Sequence, residues 1–163
     1  MIAWFDANDK ARTGPVGCVG HCMSGCDITT VSMRFPHRML AAPSLHGVNI
    51  VTNKRDPSHQ LLPRVKGEPC YALAEHDQSV PANVIPELRA SLAKTDVAAT
   101  VKVFDGTHHG FCFAERAVYN AKAAEQTWPI SSTFGSAGWR CCQRRRVPFI
   151  TTRTLPPAAP STG

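Results

Sequence analysis

The run Gly20-His21-Cys22-Met23-Ser24-Gly25 places a thiol between small residues. A glycine, one residue, a nucleophile and then a small residue permit a sharp strand-to-helix turn that lifts one side chain above a sheet. Two further runs follow in the chain. Ala74-Glu75-His76-Asp77-Gln78-Ser79-Val80-Pro81 supplies carboxylates, and Gly106-Thr107-His108-His109-Gly110-Phe111 supplies imidazoles. Nucleophile, acid and histidine in that order suit acyl transfer. The sulfur attacks a carbonyl, the imidazole moves the proton, and the carboxylate holds the imidazole in the right tautomer. A free thiol with a pKa of about 8.5 is little ionised at neutral pH, so Cys22 needs a neighbouring histidine and a helix N-terminus to act. The backbone N–H of Met23 is the expected oxyanion donor.

Each of these residues has a plainer role available. Cysteine is often a small buried hydrophobe, and Asp77 ahead of Val80-Pro81 suits a turn or helix cap. Glu75 lies nearer the strand end, which favours Asp77 as the acid. His108 and His109 are adjacent, so only one needs to face the site. Cys18, Cys22 and Cys26 follow a C-x3-C-x3-C spacing, unlike the CxxC pairs of structural zinc sites, and on a strand–turn–helix their sulfurs diverge. No metal is expected. Cys70 reads as core, Cys112 as a candidate pocket-lining thiol, and Cys141 and Cys142 as exposed and prone to oxidation.

Elements that position these groups are legible in the apolar pattern. Residues 16–20, 39–45, 69–74 and 100–104 read as strands, and 24–35, 83–94 and 117–128 as helical or mixed segments. Residues 2–10 suit one or two helical turns. Val84, Ile85, Leu88 and Leu92 share one helical face. The stretch 47–66 reads as a long connection without periodicity. Strands alternating with helices imply an α/β fold with a parallel sheet. Cys22, Asp77 and His109 then follow the first, third and fourth strands, separated by 55 and 32 residues. All three emerge at the carboxyl ends of the strands, where open α/β sheets build their sites.

The formal charge of the 163-residue chain is +6, unevenly placed. Residues 1–128 hold 13 Lys or Arg against 12 Asp or Glu, whereas residues 129–163 hold five arginines and no acid. The body therefore lacks a basic face for nucleic acid. No run approaches the roughly 20 apolar residues of a membrane span, and the N-terminus lacks the pattern of a signal peptide. Seven cysteines, an odd number, without a secretory context point to a reducing, cytoplasmic setting. The tail 129–163, with Arg144-Arg145-Arg146 and Leu155-Pro156-Pro157, reads as Arg/Pro-rich and unstructured.

At Gly20 to Gly25, Arg34-Phe35-Pro36, 74–81, 108–113 and 116–124 the sequence resembles the dienelactone hydrolase family of α/β hydrolases. The resemblance spans roughly residues 1–128. It implies a cysteine hydrolase that opens enol lactones such as carboxymethylenebutenolide, in aromatic catabolism, without metal or organic cofactor. It implies Cys22 as nucleophile, Asp77 as acid and His109 as base, since the family's histidine directly precedes a small residue and Phe. Ser24 stands where the family usually has glycine. The family's substrate-carboxylate arginine falls on Phe113, leaving Arg116 as the nearest candidate for substrate binding.

The resemblance also implies a truncated α/β hydrolase, with roughly the last four strands of an eight-stranded sheet. The nucleophile strand is then an exposed sheet edge, open to self-association. Reading the codons of residues 128–135 one base earlier yields a polar–apolar pattern that suits a continuing helix. A frameshift near codon 128 is therefore expected to have produced the tail. Two readings follow: a hydrolase of lactones or esters through a Cys-His-Asp triad, or an inactive fragment of one that folds only partly or by association.

Overall fold

The computed structural model describes residues 2–10, 14–52 and 58–133. Its centre is a parallel sheet in the order β1–β3–β4–β5, with β2 also paired to β3. The elements are α1 (Ile2–Ala7), β1 (Val16–Gly17), β2 (Gly20–His21), α2 (Ser24–Arg34) and β3 (Met39–Leu45), then β4 (Glu68–His76), α3 (Val84–Leu92), β5 (Thr100–His108) and α4 (Ala121–Thr133). A 3-10 turn, Ser58–Arg64, occupies part of the connection expected to be featureless. Residues 134–163, most of the tail expected to be unstructured, lie outside the described residues, as do Cys141 and Cys142.

The first strand differs from the expected continuous 16–20. It is split into β1 and β2, both parallel to β3, with a register irregularity between Val16 and Gly17. Cys18 N–H still donates to Ala41 O at 3.0 Å, so the ladder carries across the break. Among the described residues β1 and β2 pair only with β3, which makes them one edge of the sheet.

Strand β4 shows why the sheet is the core. Tyr71 and Leu73 point to one face and join Met33, Ile50, Leu62, Val84 and Leu88. Ala72 and Ala74 point to the other and join Leu45, Phe104, Phe111 and Ala123. Successive strand residues face opposite sides, so a strand covered on both faces must be apolar at every position. Cys70 is fully buried there, as expected, and burial pushes its thiol up to about 12. Large side chains lie against α2 and α3, while alanines of β4 lie on the α4 side.

Strand β5 runs four residues beyond the expected end at Phe104. Ala74 pairs with Phe104 and His76 with His108, so Glu75 alone opposes residues 105–107. Gly106 takes φ +65° in this bulge, and its N–H donates to Glu75 Oε2 at 2.7 Å. Asp105-Gly106 resembles a turn in the sequence; here it re-aims the chain instead of ending the strand. Helix α4 starts four residues later than expected and its backbone continues to Thr133. Near the N-terminus, Arg38 ties α1 to the start of β3 through Asp6, at 2.7 Å, and Gly14 O, at 2.8 Å.

Candidate active site

Four chain segments converge at the carboxyl ends of the strands. Cys22 follows β2, His46 follows β3, Asp77 follows β4 and His109 follows β5. Cys22 adopts φ +54°, a left-handed conformation unusual for a residue with a Cβ. Backbone hydrogen bonds hold it there. Its N–H donates to Leu45 O, and its carbonyl accepts from the N–H groups of Gly25 and Val48, each at 3.1 Å.

Glycines are required on both sides of this turn. A Cβ on Gly20 would lie 2.4 Å from Ser24 O, and one on Gly25 would lie 2.6 Å from Gly47 Cα. Ser24, the departure from the usual glycine, closes the elbow. Its hydroxyl donates to His21 O at 2.7 Å and accepts from His21 N–H at 2.9 Å. Met23 is the N-cap of α2 with its side chain largely exposed, so the backbone beside the thiol borders the first turn of that helix. N–H groups there have no intrahelical acceptor and carry partial positive charge.

His109 links the other two groups. Its Nε2 lies 3.0 Å from Cys22 Sγ, and its Nδ1 lies 2.8 Å from Asp77 Oδ2. The Asp77 side chain is 4% exposed, which strengthens its pull on the imidazole. Its other oxygen accepts from Ser79 N–H at 2.9 Å, so the turn role and the histidine contact coexist in one carboxylate. Gly110, at φ +87°, turns the chain directly after His109. His108 and Glu75 lie elsewhere: both are exposed, His108 against His76 and Glu75 at 3.4 Å from His76 Nε2. Glu75 and His108, the less favoured neighbours, thus stand apart from the Cys22–His109–Asp77 contacts.

Arg116 packs against the loop carrying His109. A Cβ on Gly110 would lie 3.1 Å from its guanidinium, which sits 5.6 Å from the Phe113 ring centroid. Phe113 in turn contacts the rings of His21 and His46. Cys112, a candidate lining thiol, turns toward α4, with its sulfur 3.7 Å from Thr127 Oγ1. Burial pushes the Cys18 thiol up to about 11, whereas Cys26 contacts Met23 O and Asp27. Among the described residues no group of three or more His, Cys, Asp or Glu is placed to hold a metal ion.

His46 escaped the sequence reading. It is fully buried at φ +38°, and its N–H donates to Ala72 O at 2.7 Å. Burial, followed by the nearby His109 and His21, holds its pKa down at about 4; burial also lowers that of His21. The His46 ring is therefore uncharged at neutral pH. The available signal was a His-Gly pair at the carboxyl end of a buried strand.

The family model described as the dienelactone hydrolase family matches residues 1–135. The chain belongs to that family. A "putative carboxymethylenebutenolidase" of Synechocystis sp. is 25% identical over 130 residues, covering 78% of this chain and 52% of the relative. A protein of the same description from Aquifex aeolicus is 27% identical over 120 residues, covering 73% of this chain and 49% of its own length. The chain thus spans about half the length of these curated family relatives. A solved "putative dienelactone hydrolase" of Klebsiella pneumoniae superposes with a TM-score of 0.72 at 18% identity, over 82% of this chain and 56% of that one. The family's fold is the α/β hydrolase, and the parallel sheet with its flanking helices is a part of it. Among the described residues no helix is long and apolar enough to cross a membrane.

Proposed function

We propose that this chain carries the catalytic residues of a cysteine-dependent hydrolase that opens a lactone or ester. The observation that carries the reading is the continuous contact from Cys22 Sγ through His109 to Asp77, at 3.0 and 2.8 Å. His109 takes the thiol proton, and the sulfur bonds to the substrate carbonyl carbon. The Met23 N–H faces the resulting oxyanion. As the carbonyl re-forms, the carbon–oxygen ester bond breaks and the leaving oxygen takes the proton from His109. A water, deprotonated by His109, then attacks the thioester and returns the thiol with a carboxylate product. Asp77 orients the imidazole and balances its charge in both halves. Arg116 beside Gly110 would favour an anionic substrate. The reading needs no metal or organic cofactor and suits a reducing cytoplasm, where the thiol stays free. It involves neither nucleic acid nor membrane.

Turnover of dihydrocoumarin and p-nitrophenyl acetate by the full chain tests the reading, with Cys22→Ala as comparison. Hydrolysis by the parent and none by the variant is expected. Equal rates overturn it. No hydrolysis by the parent, with Cys22 alkylated no faster than a simple thiol, would favour the inactive-fragment reading. We also propose that the β1–β2 edge pairs with a second copy of the chain. Sedimentation showing only monomer at micromolar concentration would exclude that pairing.

A further inference from the structure

His46 is placed and built unlike an ordinary core residue. Its ring is fully buried, yet neither ring nitrogen has a hydrogen-bond partner among the described residues. A buried donor left unmatched is destabilising, so such a group calls for a reason. The backbone adds to this, because φ +38° is a strained setting for a residue with a Cβ. The surroundings are also specific. The His46 ring meets the His109 ring edge-on, with centroids 5.2 Å apart, and Phe111 and Phe113 close two other sides at 5.8 and 5.3 Å. His21 completes the enclosure at 5.4 Å.

The same segment holds the nucleophile. Leu45 O, directly before His46, accepts from Cys22 N–H, and Val48 N–H, two residues after it, donates to Cys22 O. Whatever fixes His46 therefore fixes both partners of the Cys22–His109 contact.

We propose that His46 is a positioning residue for His109, whose buried polar ring seats the imidazole and eases its acceptance of the Cys22 proton. A charge forming on His109 inside an apolar wall would be poorly solvated. An uncharged imidazole can present a ring lone pair to that charge, by choice of tautomer, where a hydrocarbon cannot. The groups facing His46 are His109, His21 and, more distantly, Asp77. Of these, Asp77 already pairs with His109, and His21 meets the rings of His46 and Phe113 instead of that of His109. This leaves His46 as the polar support on the second side of the ring. The inference rests on the proposed proton transfer from Cys22 to His109.

The test is the pH dependence of Cys22 alkylation by iodoacetamide in the full chain, followed by peptide mass spectrometry. Buried Cys70 serves as a fold monitor in the same sample. His46→Met and His46→Gln have similar length and differ in polarity. The methionine variant is expected to alkylate Cys22 at least about threefold more slowly at pH 7, with its profile displaced to higher pH. The glutamine variant is expected to recover most of the parent rate. If the methionine variant exposes Cys70, His46→Asn replaces it. Asparagine tolerates the left-handed backbone, and its shorter amide should leave His109 unsupported, with the same slowing. A folded variant of either kind with the parent profile overturns the proposal. His109→Gln separates the two levels. If it leaves the Cys22 profile unchanged, the proton-transfer reading itself fails. If it displaces the profile while the His46 variants do not, only the role of His46 fails.

Discussion

Strand β4 and the loops at the carboxyl ends of the strands obey opposite rules. Along β4, Cys70, Tyr71, Ala72, Leu73 and Ala74 are all nearly or fully buried, in regular register with β3 and β5. At the carboxyl ends, Cys22, His46 and Asn49 all take positive φ, and buried ring nitrogens of His21 and His46 lack partners. These three are the positive-φ residues other than glycine among those described. Left-handed backbone at residues with a Cβ is thus concentrated where a thiol, three imidazoles and a carboxylate meet. The ordinary core beneath is what permits this, because a site of this kind persists only when its surroundings over-determine it.

The contrast can be attacked from either side. Asp77→Asn should produce the largest change, lowering lactone or ester turnover by about a thousandfold or more. The amide oxygen can still accept from Ser79 N–H, so the turn and the melting temperature should barely move. Loss of turnover together with unfolding would mean that Asp77 is mainly structural. In the core, Leu73→Ala should destabilise by about 2–5 kcal/mol, read by urea unfolding. A smaller loss would show that β4 is less tightly packed than its burial indicates.

Gly25→Ala tests the seam between the two regions. Its Cβ would press on Gly47 Cα and Ser44 Oγ, at 2.6 and 2.5 Å, of which the first is backbone and cannot swing away. A loss of about 1–3 kcal/mol is expected, together with slower alkylation of Cys22 as the elbow shifts. Unchanged behaviour on both measures would mean that the elbow has slack.

A last predicted effect is on the pH dependence of stability. His46 has its folded pKa depressed from 6.5 to about 4 by burial. Between those values the unfolded chain binds the proton and the folded chain does not. Stability is therefore full above pH 6.5, falls as pH drops through that window, and levels off near pH 4. The loss across that window is on the order of 3 kcal/mol. Urea midpoints at pH 7.5 and 4.5 measure it, and His46→Asn should flatten the slope. An equally steep slope in that variant would assign the effect to other groups.

Legibility in the sequence followed the range of the interactions concerned. The helix face of Val84, Leu88 and Leu92 and the apolar runs of β3 and β4 are local patterns, and each became the expected element to within a few residues. The bulge in β5 was missed because Asp105-Gly106 has the composition of a turn, and only pairing with Glu75 keeps the strand going. Ser24 stood out in the sequence only as a departure from glycine, yet it clamps both backbone groups of His21.

By itself the sequence determined the alternating α/β order, the elbow around Cys22 and the order of thiol, carboxylate and imidazole, since these depend on neighbours along the chain. The tertiary structure supplied the contacts of His109 with Cys22 and with Asp77, and placed His46 behind His109. Those contacts join residues 32 and 87 positions apart, as His109 with Asp77 and with Cys22. No local propensity encodes a side chain's direction across such distances; parallel pairing of β2, β3, β4 and β5 sets it.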